Sequence, residues 1–285
     1  MKVIECPRDA MQGLSAFIPT DVKVAYIQSL LDVGFDTIDA GSFVSPKAIP
    51  QMRDTAAVLD RLDRSHSTTS ILAIVANLRG AQEACQHPVV DYLGFPLSLS
   101  ETFQQRNTNQ SIAEALRLVD DIHQNCVRSN KVLVTYLSMG FGNPYGDPYS
   151  PEKVADMVKA LQSIGVSVIS LADTIGMATP QEIGTLFSGL RQEFPSLETG
   201  VHLHARAGSA VSKIQAALEA GCRRMDGALL GFGGCPMAED ELVGNIPTEV
   251  LLDTLEKNNI DYTIDQQALV RSIRLATHVF VTHRA

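Results

Sequence analysis

Tryptophan is absent from this sequence of 285 residues, and aromatic side chains make up only 6% of it. We therefore expect a core of leucine, isoleucine, valine, alanine and methionine side chains. Basic residues are also few, with 23 lysines and arginines against 32 acidic residues and a net charge of −9. Because no stripe of lysine and arginine is present to neutralise phosphates, the sequence lacks the footprint of a nucleic-acid-binding protein.

Cysteine is scarce, and the spacing of the cysteines along the sequence indicates no motif. The five cysteines are Cys6, Cys85, Cys126, Cys222 and Cys235, and none belongs to a Cys-x-x-Cys motif. An odd, dispersed set favours a reducing compartment over a disulfide framework. No apolar run is long enough to span a bilayer, and the N-terminal residues enter a predicted strand at once, which leaves no room for a signal peptide. We expect a cytoplasmic protein that binds no membrane.

Short β-branched segments alternate with longer amphipathic segments along the whole chain. The predicted strands are Lys2–Cys6, Thr37–Ala40, Ser70–Val75, Asp91–Phe95, Lys131–Leu137, Val166–Leu171, Thr199–His204 and Arg224–Leu229. The predicted helices include Thr20–Val33, Asn109–Val127, Pro151–Ile164, Gly208–Ala220, Pro247–Lys257 and Gln266–His283. Eight strands with intervening helices fit a closed barrel or a doubly wound sheet, and the lack of a Gly-x-Gly-x-x-Gly motif after the first strand disfavours a dinucleotide-binding sheet. We predict one domain over residues 1–285, a TIM (β/α)₈ barrel with additional C-terminal helices.

Several helix ends carry recognisable capping residues. Thr20 is predicted to cap the first helix, and Ser150–Pro151 places proline at the first helical position of another. Gly34, Gly165 and Gly221 each follow a helical pattern and precede a strand, where a left-handed C-cap is expected. These signals support the alternation of helices and strands.

Chemically capable side chains follow the predicted strands at their C-terminal ends, where the active sites of barrels lie. They are Arg8, Asp9, Asp39, Ser42, Asp173, His202, His204 and Asn245. His202 and His204 point to the same face, because strand side chains alternate with a period of two. With the Asp9 carboxylate and the Asn245 amide oxygen, they predict a site for Mg²⁺, Mn²⁺ or Zn²⁺. The alternative is a hydrogen-bonded histidine pair that holds no metal.

The sequence leaves the roles of two further residues, Cys235 and Asp173, open. Cys235 lies in a Gly-Gly-Cys-Pro loop, where an exposed thiol would be available for proton transfer. The other cysteines lie on strand or helix patterns and are interpreted as packing residues. Asp173 either orients a substrate or caps the turn at Thr174–Gly176.

Taken together, the motifs resemble the 3-hydroxy-3-methylglutaryl-CoA lyase family. The matching segments are Pro7–Gln12, Ser42–Lys47 with Pro50–Met52, Ala172–Gly176, His202–His204, Gly233–Pro236 and Gly244–Asn245. More broadly, the chain is similar to the metal-dependent aldolase-type barrels that include isopropylmalate and homocitrate synthases. The resemblance implies cleavage of 3-hydroxy-3-methylglutaryl-CoA, or a close 3-hydroxyacyl-CoA, to acetyl-CoA and acetoacetate, and a place in leucine breakdown.

The resemblance also implies roles for individual residues. It assigns the metal to Asp9, His202, His204 and Asn245. Arg8 would stabilise the enolate oxygen on the acetyl-CoA half, and Cys235 would assist proton transfer from a mobile loop. Independently of the family, the cleavage needs a base for the tertiary hydroxyl proton, and the candidates are Asp9 and His202, acting directly or through a metal-bound water.

Departures from the family pattern affect the substrate more than the reaction type. Asp39 stands where the family usually has glutamate, and Ala205 stands where aspartate is expected. Lys47, Arg79 and Arg106 are the basic residues near strand ends that would contact the CoA phosphates, although each also fits an ordinary surface charge.

Two other functions are compatible with the same residues. One is a Claisen-type acyltransferase of the isopropylmalate or homocitrate synthase kind. The other is a metal-binding barrel that has lost catalysis, and the departures at Asp39 and Ala205 would be signs of that loss. The apolar pattern near Leu269–Val281 fits either a homodimer interface or packing within the chain.

Overall fold

The protein is described by a computed structural model over residues 1–206, 208–234 and 243–283. Eight parallel strands close a barrel in chain order, and β1 pairs with both β2 and β8. The strands are β1 Lys2–Glu5, β2 Thr37–Ser42, β3 Ser70–Ile74, β4 Tyr92–Ser98, β5 Val132–Ser138, β6 Val168–Asp173, β7 Glu198–Leu203 and β8 Arg224–Gly227. The predicted (β/α)₈ barrel is confirmed.

Helices surround the barrel and extend it at the C-terminal end. Within the described ranges they are α1 Pro7–Gln12, α2 Thr20–Val33, α3 Thr55–Leu59, α4 Leu78–Cys85, α5 Glu101–Thr108, α6 Ile112–Arg128, α7 Pro151–Ile164, α8 Pro180–Glu193, α9 Ala210–Glu219, α10 Thr248–Lys257 and α11 Gln266–Thr282. Short 3₁₀ helices cover Pro50–Met52 and Leu229–Gly231. In the part of the chain that the structure describes, no helix is both long and apolar enough to cross a membrane.

The predicted helix ends are mostly confirmed. Ser150 caps α7 by accepting the backbone N–H of Lys153. Gly34 and Gly165 adopt left-handed φ angles of 83° and 104° at the ends of α2 and α7. The Thr20 prediction is wrong: Thr20 is already the first residue of α2, and its hydroxyl donates to Asp54 Oδ2 at 2.8 Å instead of capping the helix.

The lumen of the barrel is filled separately from the core under the helices. Side chains of three strands meet there, namely Leu72, Ile74, Val134, Tyr136 and Val168. Strands β3 and β5 are not neighbours in the sheet, so their side chains meet across the barrel interior. This apolar cluster contacts the polar residues at the carboxyl ends of the strands through Tyr136. The Tyr136 ring lies edge-on to His202, with 5.8 Å between the ring centroids.

Candidate active site

The helix α1 brings Arg8 and Asp9 over the mouth of the barrel. Pro7 occupies its first position, which suits a helix that starts directly after a strand. Both Arg8 and Asp9 are buried, at 9% and 6% exposure. The pair follows the first strand, as predicted, and the short helix α1 orients both side chains.

Asp9, His202 and His204 form a compact cluster of metal-ligating groups. One side-chain oxygen or nitrogen atom of each lies within 4.8 Å of the corresponding atoms of the other two, and all three residues are buried. The Asn245 amide completes the cluster, since its Nδ2 donates to Asp9 Oδ2 at 2.6 Å. The four residues predicted to hold a metal are therefore brought together.

Hydrogen bonds on the far side of the imidazoles fit this cluster to a divalent cation. His202 Nδ1 lies 3.0 Å from Asp226 Oδ2, and His204 Nδ1 lies 2.9 Å from the carbonyl oxygen of Val243. Each oxygen is an acceptor, so each favours a proton on Nδ1 and leaves the lone pair of Nε2 available. Metal-ligating histidines are commonly fixed by a carboxylate or a carbonyl in this way.

The charge states of Asp9 and His204, but not that of His202, agree with metal binding: burial would lower the pKa of His202, but its hydrogen bond to Asp226 and the charge of that carboxylate raise it. Burial would raise the pKa of Asp9, but the charge of the Arg8 guanidinium opposes burial most strongly, and the pKa falls to about 2, so the carboxylate is ionised at neutral pH. Burial and the neighbouring His202 lower the pKa of His204, which keeps its imidazole neutral. An anionic carboxylate and a neutral imidazole are the ligand forms that a divalent cation requires.

Arg8 is held from two sides. Its Nε lies 3.2 and 3.0 Å from the two carboxylate oxygens of Asp39, and Nη2 lies 2.5 Å from Asp39 Oδ2. Nη1 donates to Asp9 Oδ1 at 3.1 Å and to Gln12 Oε1 at 2.9 Å. Burial raises the pKa of Asp39 to about 6 in spite of the Arg8 guanidinium, so Asp39 is an anion at neutral pH. Asp39 thus fixes the guanidinium and does not itself line the cavity described next.

A cavity of about 470 Å³ opens from this cluster at the carboxyl ends of the strands. Its polar wall includes Arg8, Asp9, Gln12, Ser42, His202 and His204, and its apolar wall includes Val44, Ile49, Ile74, Phe103 and Tyr136. Arg106 also lines it, with its guanidinium 4.6 Å from the centre of the Tyr145 ring. Lys47 and Arg79 are exposed and lie outside this wall, and a CoA contact for either of them stays a prediction.

Asp173 lies behind the cavity wall. Its Oδ2 accepts from Lys213 Nζ at 2.6 Å, and its Oδ1 accepts the Ala178 N–H at 3.1 Å. Its carbonyl oxygen accepts the Gly176 N–H at 2.9 Å, which is the turn that the sequence suggested. Asp173 is not among the described residues that line the cavity, and the substrate-orienting role expected for it stays a prediction.

Cys235 lies outside the described residues, and its proposed role stays a prediction. Cys6, interpreted as a packing residue, is buried at the end of β1, where its sulfur joins His202 and Asp226 in a second compact group. Burial raises the pKa of the Cys6 thiol far above its usual value, so the thiol stays protonated beside the histidine.

Sequence reasoning missed Asp226, Gln12 and Lys213. Asp226 was accessible to it, because a carboxylate inside a predicted barrel strand needs a buried partner. Gln12 lies one helical turn after Arg8 and Asp9, which places it on the same side of α1. Lys213 gave no signal, because a lysine in an amphipathic helix is normally solvated.

Comparisons with known proteins place the chain among lyases. The model of the HMGL-like family matches residues 4–275. The chain is 33% identical over 268 residues to hydroxymethylglutaryl-CoA lyase YngG of Bacillus subtilis strain 168, covering 94% of this chain and 89% of that protein. It is 35% identical over 273 residues to the mitochondrial hydroxymethylglutaryl-CoA lyase of Bos taurus, covering 95% and 83%. The structure of an HMG-CoA lyase from A. baumannii in complex with coenzyme A and 3-methylmalate superposes with a TM-score of 0.90 at 33% identity, covering 98% of this chain and 90% of that one.

Proposed function

Because this chain belongs to the HMGL-like family, we propose that it is a divalent-metal-dependent carbon–carbon lyase that cleaves 3-hydroxy-3-methylglutaryl-CoA to acetyl-CoA and acetoacetate. The observation that carries the proposal is the meeting of Asp9, His202 and His204 within 4.8 Å at the floor of a cavity lined by Arg8. Relatives named as lyases over nearly the whole chain support the same reaction.

The chemistry makes two demands on this site. A base removes the proton of the tertiary hydroxyl, and the bond between the carbinol carbon and the carbon next to the thioester then breaks. The electron pair passes to the thioester as an enolate, which is protonated on carbon to give acetyl-CoA. Asp9 and His202 line the cavity and are our candidates for the group that accepts the hydroxyl proton.

Arg8 meets the second demand, which is a positive charge where the enolate oxygen develops. Its guanidinium is preorganised, because the Asp39 carboxylate holds Nε and Nη2 and leaves the Nη1 side next to Asp9. A planar fork held in this way suits a thioester oxygen better than a flexible ammonium would. Asp39 is one methylene shorter than the glutamate usual in the family, and we propose that it sets the depth of Arg8 in the cavity.

Asp9, His202, His204 and Asn245 are the residues that we propose to hold the metal. Two imidazoles with carboxylate and amide oxygens form a mixed donor set that suits Mg²⁺ or Mn²⁺ and also accepts Zn²⁺. When bound, the cation supplies a Lewis acid for the hydroxyl and carboxylate oxygens of the substrate. Asn245 reaches this position because residues 243–245 run beside the end of β7, where His204 and Asn245 form an isolated antiparallel bridge.

The acyl-CoA would occupy the apolar side of the cavity, and Arg106 at its rim is our candidate for a phosphate contact. The A. baumannii lyase that superposes on this chain was solved with coenzyme A, which supports a CoA thioester as the substrate class. We further propose that Cys235 protonates the enolate, that the reaction belongs to leucine breakdown and that it takes place in the cytoplasm. Most apolar side chains of the Leu269–Val281 pattern, such as Val279 and Phe280, are buried within the chain, and a homodimer through its exposed residues stays a prediction.

The test is an assay of acetyl-CoA and acetoacetate release from 3-hydroxy-3-methylglutaryl-CoA, first with Mn²⁺ or Mg²⁺ and then with chelator. We expect turnover that chelation abolishes and that Arg8→Met reduces by about 10²- to 10³-fold, the loss typical of one donor to a developing oxyanion. Full activity in chelator would refute the metal-dependent mechanism. Incorporation of acetyl-CoA into a 2-oxo acid without cleavage of the thioester substrate would instead identify a Claisen-type synthase.

A further inference from the structure

Lys213 is a buried lysine that lies against the back of the candidate metal centre. We propose that Lys213 is a positioning residue that ties the second metal-binding histidine, His204, to the loop after β6 and so sets the affinity of the centre for its metal. The inference rests on the proposed metal centre but not on the identity of the substrate. It assigns a purpose to a charged group that an amphipathic helix would ordinarily expose to solvent.

The contacts of Lys213 define the tie. Its Nζ donates to Asp173 Oδ2 at 2.6 Å, to the carbonyl oxygen of His204 at 2.8 Å and to the carbonyl oxygen of Gly176 at 2.9 Å. An ammonium group has three protons, and these three acceptors use all of them. Lys213 on α9 therefore joins the end of β6, the turn that follows it and the backbone of His204 at one point.

Burial strengthens the ion pair and the hydrogen bonds of Lys213. Lys213 and Asp173 are only 3% and 1% exposed, so neither charge is screened by water. A buried charge without its partner is strongly unfavourable, and the ammonium therefore stays on its three acceptors. The sequence left open whether Asp173 orients a substrate or caps a turn. We infer that Asp173 is the counter-charge that keeps Lys213 in place.

The contacts of Lys213 also reach the segment that carries the metal-binding residue Asn245. His204 Nδ1 lies 2.9 Å from the carbonyl oxygen of Val243, two residues before Asn245. Gly176 packs against the same segment, since a methyl carbon added at Gly176 would lie 2.6 Å from Val243 Cγ1. Loosening Lys213 would free both the backbone of His204 and the loop against which residues 243–245 rest.

The test measures Mn²⁺ binding by electron paramagnetic resonance, independently of turnover. The principal variant is Lys213→Met with Asp173→Asn, which removes the donors without leaving a buried carboxylate unpaired. We expect its Mn²⁺ dissociation constant to rise about 10- to 100-fold, the usual effect of losing a group that orients metal ligands. Lys213→Gln is a milder second variant that keeps a side-chain donor, and we expect at least a threefold rise.

The chain offers a matched control in Lys23 and Asp54. Lys23 is 2% exposed, and its Nζ donates to Asp54 Oδ1 at 2.6 Å and to the carbonyl oxygen of Gln51. It is a lysine–aspartate pair that starts from α2, with Asp54 only partly buried, and the hydrogen bonds of Lys23 go to Asp54 and Gln51 rather than to a metal-binding residue. Lys23→Met with Asp54→Asn should lower the melting temperature but leave the Mn²⁺ dissociation constant within twofold of wild type.

The outcomes separate this inference from the proposed reaction. Unchanged Mn²⁺ affinity in a folded Lys213 variant, or an equal loss of affinity in the Lys23 control, would overturn the positioning role. A protein that binds Mn²⁺ as described but cleaves no acyl-CoA would refute the proposed reaction, while the comparison of the two lysines would still decide the role of Lys213.

Discussion

Gly233 approaches the candidate metal centre so closely that even one methyl group would disturb it. A methyl carbon at this position would lie 2.4 Å from Asn245 Nδ2 and 2.9 Å from Asp9 Oδ2. To reach an ordinary contact distance of 3.4 Å, the Asn245 side chain would move by about 1 Å and the Asp9 oxygen by about 0.5 Å. Gly233→Ala therefore displaces two predicted metal-binding groups that are joined by a hydrogen bond of 2.6 Å.

The expected cost has two parts. The φ of Gly233 is +110°, a conformation that residues with a side chain rarely adopt, and the strain costs ~1–3 kcal/mol of stability. The displacement acts on function, since a misplacement of ~1 Å lowers turnover by about 100-fold and displaced ligands weaken metal binding by about 10- to 100-fold. We expect both effects in Gly233→Ala, measured as kcat and as the Mn²⁺ dissociation constant.

Gly34→Ala is the control for backbone strain alone. Gly34 has a φ of +83°, and a methyl group there would meet nothing within 4 Å. It should lose stability as Gly233→Ala does, while its turnover and Mn²⁺ affinity stay at wild-type values. Wild-type metal affinity in Gly233→Ala would refute the arrangement of Asp9 and Asn245 as metal-binding neighbours.

Three other predictions follow from named contacts. Asp226→Asn removes the carboxylate 3.0 Å from His202 Nδ1, and titration calorimetry should find Mn²⁺ affinity lowered about 10- to 100-fold with the fold intact. Burial raises the pKa of Glu5 from 4.5 to about 8, so the folded state keeps a proton that the unfolded state releases. Thermal melts should therefore show stability falling as the pH rises from 4.5 to about 8, and Glu5→Gln should flatten this dependence. Asp39→Asn removes one of the two carboxylates that hold Arg8 and keeps that of Asp9. Steady-state kinetics should show a lower kcat, whereas an unaltered kcat would mean that Arg8 needs no support from Asp39.

The barrel was predictable because its signals are local and repeated. Strand predictions agree with the structure to within a few residues, and the ends of α2 at Gly34 and of α7 at Gly165 follow from the left-handed conformation that glycine permits. The short helices were missed, among them α1 and α3, because six or five residues carry too little periodicity to identify a helix. Thr20 was misassigned because a hydroxyl that binds a distant carboxylate looks the same in the sequence as one that caps a helix.

The site was predictable where chemistry and strand ends coincide. The period of a strand puts His202 and His204 on one face, and the closure of the barrel brings Asp9 to them across most of the chain. The groups behind them depend on contacts between distant elements, such as the reach of Lys213 from α9 to the carbonyl oxygen of His204. No local pattern encodes such a contact, so only the folded chain reveals it.

The central claim is that one metal centre, built from Asp9, His202, His204 and Asn245, carries the cleavage reaction. The most direct test is to add Mn²⁺ stepwise to metal-free protein while measuring bound Mn²⁺ and acetyl-CoA release from 3-hydroxy-3-methylglutaryl-CoA in the same samples. We predict that turnover rises in proportion to site occupancy and saturates at one Mn²⁺ per chain, and that His204→Ala loses both binding and turnover. Turnover in metal-free protein, or full turnover in His204→Ala, would contradict the claim.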